Sequence, residues 1–315
     1  MEFQDILNAQ ERLKPILFST PLIPVPEIED YTLYIKPENL QRTGSFKIRG
    51  AYNKISLLTD DEKARGVIAC SAGNHALGVA FAAKEKGIHA VVCMPKSAPK
   101  LKVESAEYYG AEIVLVDGVY DDAYQKALEL QAEYGYTFVH PFNDPDVIAG
   151  QGTIGVEILS EHPEIDTIVV PVGGGGLISG VAYAAKSIRP DIKVYGVQAK
   201  GAPSMYASLA AGYVKRLETV HTLADGIAVK EVSNQTLDFV SRYVDDIIVV
   251  NDEEILEGIR LLFNYEKLVA EGAGAAGAAA LLAGGLPLEG RNVAIVLSGG
   301  NIDLSLFNKL MTQGL

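Results

Sequence analysis

Lys47 lies in the segment KPENLQRTGSFKIRGAY, whose residue types favour an uncharged lysine amine. A turn at residues 43–45 precedes Lys47, with Ser45 as a candidate N-cap, and apolar residues recur at helical spacing over residues 48–55. Lys47 is therefore predicted in the first turn of a helix, where the helix dipole disfavours a cation and the neighbouring Phe46 desolvates the amine further. A neutral lysine amine is what Schiff-base chemistry with an aldehyde cofactor requires.

A run of four glycines, in PVGGGGLISG, stands between an apolar strand pattern and a helical pattern. Such a run exposes successive backbone N–H groups beside the positive end of a helix dipole, which together form a cradle for a phosphate group. The predicted phosphate contacts are Gly173, Gly174, Gly175, Gly176 and Leu177. A dinucleotide site fits less well. G-x-G-x-x-G occurs at Gly150 and Gly272, but neither match follows a convincing strand, and no acidic residue stands about 20 positions further on.

Composition argues against several classes of function. The 315 residues are enough for two domains, and 48% apolar with 21% charged residues is typical of a soluble globular protein. A net charge of −13 disfavours nucleic-acid binding through phosphate contacts. Two cysteines give no disulfide framework and the N-terminus lacks a signal-peptide core, so we expect a cytoplasmic protein. No membrane span is predicted, because the two long uncharged runs are rich in glycine, and the histidines show no metal-ligand spacing.

Apolar runs bounded by turn signals alternate with helical patterns along most of the chain. The predicted strands are residues 31–35, 66–70, 89–94, 113–116, 137–139, 167–172, 193–197, 246–250 and 291–297. The predicted helices include residues 75–86, 99–109, 121–134, 154–160, 177–187 and 252–266. This alternation predicts an α/β fold with two open, mostly parallel sheets flanked by helices. We expect a large domain of residues 1–64 and 145–315 and a small inserted domain of residues 65–144.

Seven segments resemble, in family order, the fold type II (tryptophan synthase β-like) pyridoxal-phosphate enzymes. They are the lysine segment ENLQRTGSFKIRGA, the loop SAGNH, AGQGTIG, the tetraglycine, TLADGIAV, the Glu271 region and SGGN. Within that fold type the chain is similar to the threonine dehydratase (threonine ammonia-lyase) and serine racemase group. Its length is closest to the short catabolic dehydratases without a C-terminal regulatory domain. The resemblance implies that the large domain binds pyridoxal 5'-phosphate and that the small domain is mobile and carries the substrate loop.

The resemblance also implies a role for each site residue. Lys47 is expected to hold the cofactor and to take the Cα proton, and Ser298 to partner the pyridine nitrogen. Phe46 is expected among the cofactor contacts, Asn74 at the ring hydroxyl, and Glu271 beside the ring. The loop expected to clamp the substrate carboxylate is Ser71, Ala72, Gly73, Asn74 and His75. Structural alternatives stay open: Ser71 or Asn74 as a helix N-cap, Glu271 as a helix-start carboxylate, and Ser298 as a loop hydroxyl.

Two departures from the racemases favour a dehydratase. Racemisation needs an acid or base on each face of Cα, and the position that holds a serine in the racemases is Ala72 here. The racemases also bind a divalent cation through an acidic pair, and the matching positions are Gln198 and Ser204. No metal is therefore expected, and activity should be insensitive to EDTA. A third departure, Leu77 where relatives commonly have glutamine, affects only hydrogen bonding near the loop.

The predicted function is dehydration and deamination of L-threonine, and of L-serine, to 2-oxobutanoate or pyruvate and ammonia. Serine racemase or hydroxyaspartate dehydratase activity is the alternative, and a non-catalytic protein that binds a phosphate ligand is an alternative of another class. The expected partners are an amino-acid substrate and a second copy of the chain in a homodimer or tetramer, without nucleic acid or membrane. Residue types alone do not rank threonine against serine, because one methyl group is worth only about 1–3 kcal/mol.

Overall fold

The structure, a computed structural model, describes residues 1–26 and 30–315. The sequence predicts an amphipathic helix and an extended segment over residues 1–30, and residues 27–29 of that segment lie outside the described residues. The strands are β1 (Ile23–Val25), β2 (Thr32–Pro37), β3 (Val67–Cys70), β4 (Ala90–Pro95), β5 (Glu112–Val116), β6 (Thr137–Phe138), β7 (Thr167–Pro171), β8 (Lys193–Ala199), β9 (Asp246–Val250) and β10 (Asn292–Leu297). The helices are α1 (Phe3–Leu13), α2 (Lys47–Ser56), α3 (Asp60–Arg65), α4 (Asn74–Lys86), α5 (Lys100–Tyr108), α6 (Tyr120–Tyr134), α7 (Pro145–Glu161), α8 (Gly176–Ile188), α9 (Ser204–Ala211), α10 (Asn234–Tyr243), α11 (Asp252–Asn264), α12 (Gly272–Ala283) and α13 (Leu304–Thr312).

These strands form two sheets. One has the order β1-β2-β10-β7-β8-β9 and the other the order β5-β4-β3-β6. Every pairing is parallel except that of β1 with β2. The predicted α/β class with two mostly parallel sheets is confirmed.

Strand β10 shows how the larger sheet is buried on both faces. Its Val293, Ile295 and Leu297 pack into the apolar cluster under α11 and α12. Its Ala294 and Val296 pack into the cluster on the opposite face, with α8. Since successive side chains of a strand point to opposite faces, helices must cover both sides of this sheet, and the crossovers of a parallel sheet supply them.

Two predictions about local structure were wrong and one helix was not predicted, for identifiable reasons. Helix α7 begins at Pro145, well before the predicted residue 154, because Asp144 caps it and its three glycines lie against neighbouring backbone. Helix α12 has no amphipathic pattern because it is buried on all sides, so its glycine- and alanine-rich sequence gives no helical periodicity. Ser45 is not the N-cap of α2; Phe46 is, while Ser45 bridges to Gly299.

The carboxyl ends of three central strands deliver the loops of interest. Strand β3 leads into residues 71–73 before α4, β7 into residues 172–175 before α8, and β10 into residues 298–301. Ligands of open parallel sheets bind beyond the carboxyl ends of the strands. None of the helices described in residues 1–26 and 30–315 is long and apolar enough to cross a bilayer.

Candidate active site

A cavity of about 930 Å³ opens between the two sheets, at the carboxyl ends of β3, β7 and β10. All predicted site residues line it, namely Phe46, Lys47, Ser71, Ala72, Gly73, Asn74, His75, Gly173, Gly174, Gly175, Gly176, Leu177, Glu271 and Ser298. They come from distant parts of the chain, and the fold brings all of them together. Their individual roles remain predictions.

Lys47 is the first residue of α2 and lies partly exposed in the cavity. Its Nζ donates to the backbone oxygen of Pro141 at 3.2 Å and lies 5.2 Å from the centre of the Phe46 ring. Burial lowers the pKa of Lys47 to about 8, although the charge of Glu271 opposes the shift. The amine is therefore available in its neutral, nucleophilic form near physiological pH.

The tetraglycine presents a set of backbone hydrogen-bond donors to the cavity. Within the described residues, no protein acceptor receives a hydrogen bond from the amides of residues 173–177. Gly175 has φ of +93°, which favours glycine, and a side chain on Gly174 or Gly176 would collide with Phe142. Five unpaired N–H groups at the start of α8 fit a dianionic phosphate, so the cradle suits the phosphate of pyridoxal phosphate.

The loop after β3 presents a second set of free amides. Neither Ser71 nor Asn74 caps α4; Gly73 is the N-cap, and the Ser71 hydroxyl accepts from the Gly73 amide at 3.2 Å. The amides of Ala72, Asn74 and His75 have no acceptor among the residues that the structure describes. Together with the dipole of α4, these amides can bind a carboxylate.

Asn74 and Glu271 form a hydrogen-bonded pair on the cavity wall. Asn74 Nδ2 donates to Glu271 Oε1 at 2.6 Å. Glu271 is the N-cap residue of α12, but its side chain makes no capping bond. Burial, with a smaller contribution from the charge of Asp225, raises the pKa of Glu271 to about 8. This carboxyl group is buried, makes no capping hydrogen bond to its helix and is instead hydrogen-bonded to a residue of the cavity wall. Such an arrangement fits a functional role better than a structural one.

Ser298 follows β10 and is buried, with its backbone oxygen accepting from the Phe46 amide at 3.1 Å. Its hydroxyl lines the cavity and has no hydrogen-bond partner in the described part of the chain. A free hydroxyl can donate to a ring nitrogen, as the sequence predicts, but it cannot supply a full positive or negative charge there.

The segment from His140 to Phe142 was missed by the sequence analysis. Pro141 accepts from Lys47, Phe142 packs on the tetraglycine, and His140 Nδ1 accepts from the amides of Phe142 and Asn143 at 3.2 and 2.8 Å. The dipeptide His-Pro directly after the β6 pattern was the available signal, since it places a turn at the carboxyl end of a strand.

Gln198 occupies the position that matches a metal ligand in the racemases. Its fully buried Nε2 lies 3.3 Å from the Val172 oxygen and 3.4 Å from the Ala202 oxygen, and its Oε1 accepts from Tyr206 at 2.8 Å. The amide therefore already uses both its donor and its acceptor groups. Among the described residues, no cluster of histidine, cysteine and acidic side chains has the form of a metal site.

Comparisons with known proteins agree with this geometry. The family model described as "Pyridoxal-phosphate dependent enzyme" matches residues 13–299. The L-threonine ammonia-lyase of Thermotoga maritima is 51% identical over 315 residues, which cover 99% of this chain and 78% of that protein. The catabolic L-threonine dehydratase TdcB of Escherichia coli is 45% identical over 314 residues, which cover 97% of this chain and 94% of that protein.

Two solved structures have the same fold over nearly the whole chain. Maize serine racemase superimposes with a TM-score of 0.92 and 38% identity, covering 98% of this chain and 96% of its own. A threonine deaminase from T.th. has a TM-score of 0.91 and 40% identity, covering 96% of this chain and 99% of its own. With the lysine, phosphate cradle and carboxylate loop in one cavity, these matches show that the chain belongs to the fold type II pyridoxal-phosphate dependent enzymes.

Proposed function

We propose that the protein is a pyridoxal-phosphate dependent threonine ammonia-lyase, which eliminates the β-hydroxyl of L-threonine or L-serine and releases a 2-keto acid and ammonia. The observation that carries this proposal is the cavity in which a lysine of lowered pKa faces two separate sets of unpaired amides. The identity of 51% to an L-threonine ammonia-lyase and of 45% to a threonine dehydratase supports the substrate.

The two sets of amides divide the binding of cofactor and substrate. Residues 173–177 hold the cofactor phosphate, and the amides of Ala72, Asn74 and His75 hold the substrate carboxylate. Bound pyridoxal phosphate supplies an aldehyde that condenses with amines and a conjugated ring that accepts negative charge from Cα. With the carboxylate fixed at the start of α4, the amino group of the substrate is directed towards Lys47.

Lys47 carries the proton in this proposal. Its pKa of about 8 leaves a substantial fraction of the amine neutral at pH 7–8, so Nζ can take the proton from Cα. The Pro141 oxygen, which accepts from Nζ, orients the amine. The proton that Nζ takes from Cα balances the proton that the β-hydroxyl needs to leave as water, and hydrolysis of the released enamine then gives the 2-keto acid and ammonia. Ser298 donates to the ring nitrogen without fully protonating it, which suits elimination better than aminotransfer.

Racemisation is disfavoured because the second face of Cα lacks a proton donor. Ala72 has no titratable group, and the two histidines in the cavity are neutral at physiological pH. Burial lowers the pKa of His75 to about 3 and that of His140 to about 4, and in each case the charge of Lys47 adds to the shift. These neutral rings hold a proton too tightly to give it to a carbanion at the rate an imidazolium would.

The experiment that tests the proposal is keto-acid release from purified holoenzyme given L-threonine and L-serine separately, with chiral analysis of the remaining serine. We expect 2-oxobutanoate from threonine and no D-serine. Accumulation of D-serine would instead establish a racemase. Normal cofactor binding without reaction on either amino acid would direct attention to other β-substituted amino acids.

Assembly and domain motion belong to the same proposal. We infer that residues 65–144 move as a small unit against residues 1–64 and 145–315, since the cavity lies between the two sheets. We also infer a cytoplasmic homodimer; both cysteines are free and buried, and the large side chains of Tyr265 and Leu304 are 77% and 78% exposed. Light scattering of the holoenzyme measures the number of chains, and a monomer would contradict that part.

A further inference from the structure

Asn301 closes a chain of three side chains that ends in the cavity. Asn301 Nδ2 donates to the backbone oxygen of Thr43 at 2.7 Å and to Asn74 Oδ1 at 2.8 Å. Asn74 Nδ2 in turn donates to Glu271 Oε1 at 2.6 Å. Asn301 itself does not line the cavity, so it acts there only through Asn74.

The backbone carbonyl of Thr43 fixes which side chain is the donor in each of these hydrogen bonds. The Thr43 oxygen can only accept, so the atom of Asn301 that contacts it must be the NH₂ group. The second hydrogen of that group then requires an acceptor, and the neighbouring atom of Asn74 must be Oδ1. Asn74 is left with its NH₂ group facing Glu271, and the opposite orientation would bring donor to donor and oxygen to oxygen.

The segment that carries Asn301 is itself held by backbone hydrogen bonds. Gly300 donates to the Gly44 oxygen at 3.0 Å, and the Glu271 amide donates to the Gly299 oxygen at 3.2 Å. Gly44 has φ of +70°, and any side chain there would collide with Asn301. The loop after β10 is therefore connected to both the lysine segment and Glu271, which keeps Asn301 at a constant distance from Asn74.

We propose that Asn301 is a positioning residue that fixes the orientation of the Asn74 carboxamide and thereby directs its N–H groups at Glu271 and the cofactor. The inference rests on the proposed function only in that Asn74 and Glu271 border the cofactor. The experiment that tests the inference measures cofactor binding and not the rate of deamination. A wild-type protein that binds cofactor but does not deaminate threonine would contradict the proposed function and leave this inference intact.

The electrostatic surroundings make the orientation consequential. The charged groups around Glu271 are Lys47 on α2, Lys102 on α5 and Asp225, which begins the short helical turn Asp225–Ile227. Its bond from Asn74 favours the carboxylate, while burial and Asp225 oppose it. A reversed Asn74 would present an oxygen to Glu271, which could then form the hydrogen bond only when protonated.

The test reverses the polarity of the chain in two steps. Asn301→Asp cannot donate to Thr43 or Asn74, so Asn74 turns and faces Glu271 with Oδ1. At pH 9, where Glu271 is ionised and cannot donate in return, we expect the Kd for pyridoxal phosphate to rise about tenfold. Glu271→Gln supplies a donor to the turned Asn74. When Asn301→Asp is combined with Glu271→Gln, it should raise the Kd by only about threefold relative to Glu271→Gln alone, because the hydrogen bond between residues 74 and 271 is then restored in the reverse direction and only the contact of Asn74 with the cofactor is lost.

A matched control separates orientation from general loss of a hydrogen bond. Asn39 Nδ2 donates to the Val269 oxygen at 3.0 Å and does not contact Asn74, so Asn39→Asp should leave the Kd unchanged. Equal weakening by Asn301→Asp in both backgrounds, or equal weakening by Asn39→Asp, would overturn the inference. If Asn301→Asp does not fold, Asn301→Ala takes its place. The same dependence on residue 271 is expected, and its absence counts against the inference.

Discussion

Two cations stand two residues apart on α2, and their surroundings differ in almost every respect. Arg49 is fully buried and makes two hydrogen bonds to each of two carboxylates, Glu38 at 2.7 and 2.8 Å and Glu157 at 2.6 and 2.8 Å. Lys47 faces the cavity and has one backbone oxygen as its partner. The paired carboxylates raise the pKa of Arg49, whereas burial lowers that of Lys47 to about 8.

The ion network around Arg49 is balanced. Lys36 Nζ lies 2.7 Å from Glu157 Oε2 and donates to the Thr20 oxygen at 2.6 Å, so two cations face two carboxylates. These ion pairs lower the pKa of Glu157 to about 2, against the effect of burial. The cavity contains the opposite case, since its buried carboxyl, Glu271, has a pKa of about 8. Removing one partner of a fully paired buried charge destabilises the fold, whereas a charge left without a full partner is available for chemistry.

The largest expected effect is on Lys47. Lys47→Ala should abolish the visible absorbance of bound cofactor and lower the rate of keto-acid release at least about 10⁴-fold, because it removes the amine that is expected to hold the cofactor and to take the Cα proton. The free energy of unfolding of the cofactor-free protein should not fall, since burial disfavours the charged amine. Spectra, steady-state rates and urea denaturation measure the three quantities. Retention of a tenth of the wild-type rate would contradict the role.

Arg49→Leu, in contrast to Lys47→Ala, should lower the stability of the protein. It leaves Glu38 and Glu157 without their main partner, so the free energy of unfolding should fall by about 3–5 kcal/mol in urea denaturation. Arg242→Leu is the control, because its pair with Asp238 is 2.7 Å long but exposed, and should cost less than about 0.5 kcal/mol. Similar losses of unfolding free energy in the two variants would mean that the buried ion pairs of Arg49 contribute no more to stability than an exposed ion pair.

The two buried carboxyls predict opposite pH dependences for the cofactor-free protein. The folded-state pKa of Glu157 lies below its ordinary value of 4.5, so its stabilisation is complete above pH 4.5 and is lost as the pH falls towards 2. The folded-state pKa of Glu271 lies above 4.5, so its stabilisation is present below pH 4.5 and is lost as the pH rises through 8. The two carboxyls thus affect separate pH ranges.

Glu271→Gln removes only the second dependence. The difference in free energy of unfolding, variant minus wild type, should increase by on the order of 1 kcal/mol from pH 5 to pH 8. Urea denaturation of both proteins at the two pH values measures it. Taking the difference between variant and wild type removes the contributions of His75 and His140. Parallel pH curves for the two proteins would show that Glu271 is ionised throughout this range.

The smallest expected effect is a gain of side activity. Ala72→Ser adds a hydroxyl to the cavity wall, and we expect D-serine formation from L-serine to rise about tenfold over background by chiral chromatography. Ala76→Ser, the same change four residues later, in α4 and outside the cavity, should produce no D-serine. No gain from Ala72→Ser would mean that the missing hydroxyl does not explain the expected lack of racemisation.

The parts of the site that sequence predicts best are those coded by short segments. The turn before Lys47 and the tetraglycine each combine the loop and the helix start within about ten residues, so local pattern and helix physics suffice. The family resemblance predicted that the loop after β3 borders the site, and the fold agrees, because strands that alternate with helices align their carboxyl ends. The two sheets followed from the same alternation.

The remaining features depend on contacts between distant segments. Asn301 acts on Thr43, which is 258 residues away, and Arg49 pairs with Glu157, which is 108 residues away. Neither partner leaves a periodic or local signal near the other. Helix α12 escaped notice for a related reason, since a helix surrounded by protein has no polar face to give it a pattern.

The position of β10 constrains when the site can form during synthesis. This strand enters the larger sheet between β2 and β7, and the loop after it supplies Ser298 and Asn301. A ribosome must therefore translate about nine-tenths of the 315 residues before the middle of the sheet can close. Until then β2 and β7 have an unfilled gap between them, with exposed edges prone to wrong pairing. The complete cofactor site can therefore form only after residue 301 has been translated.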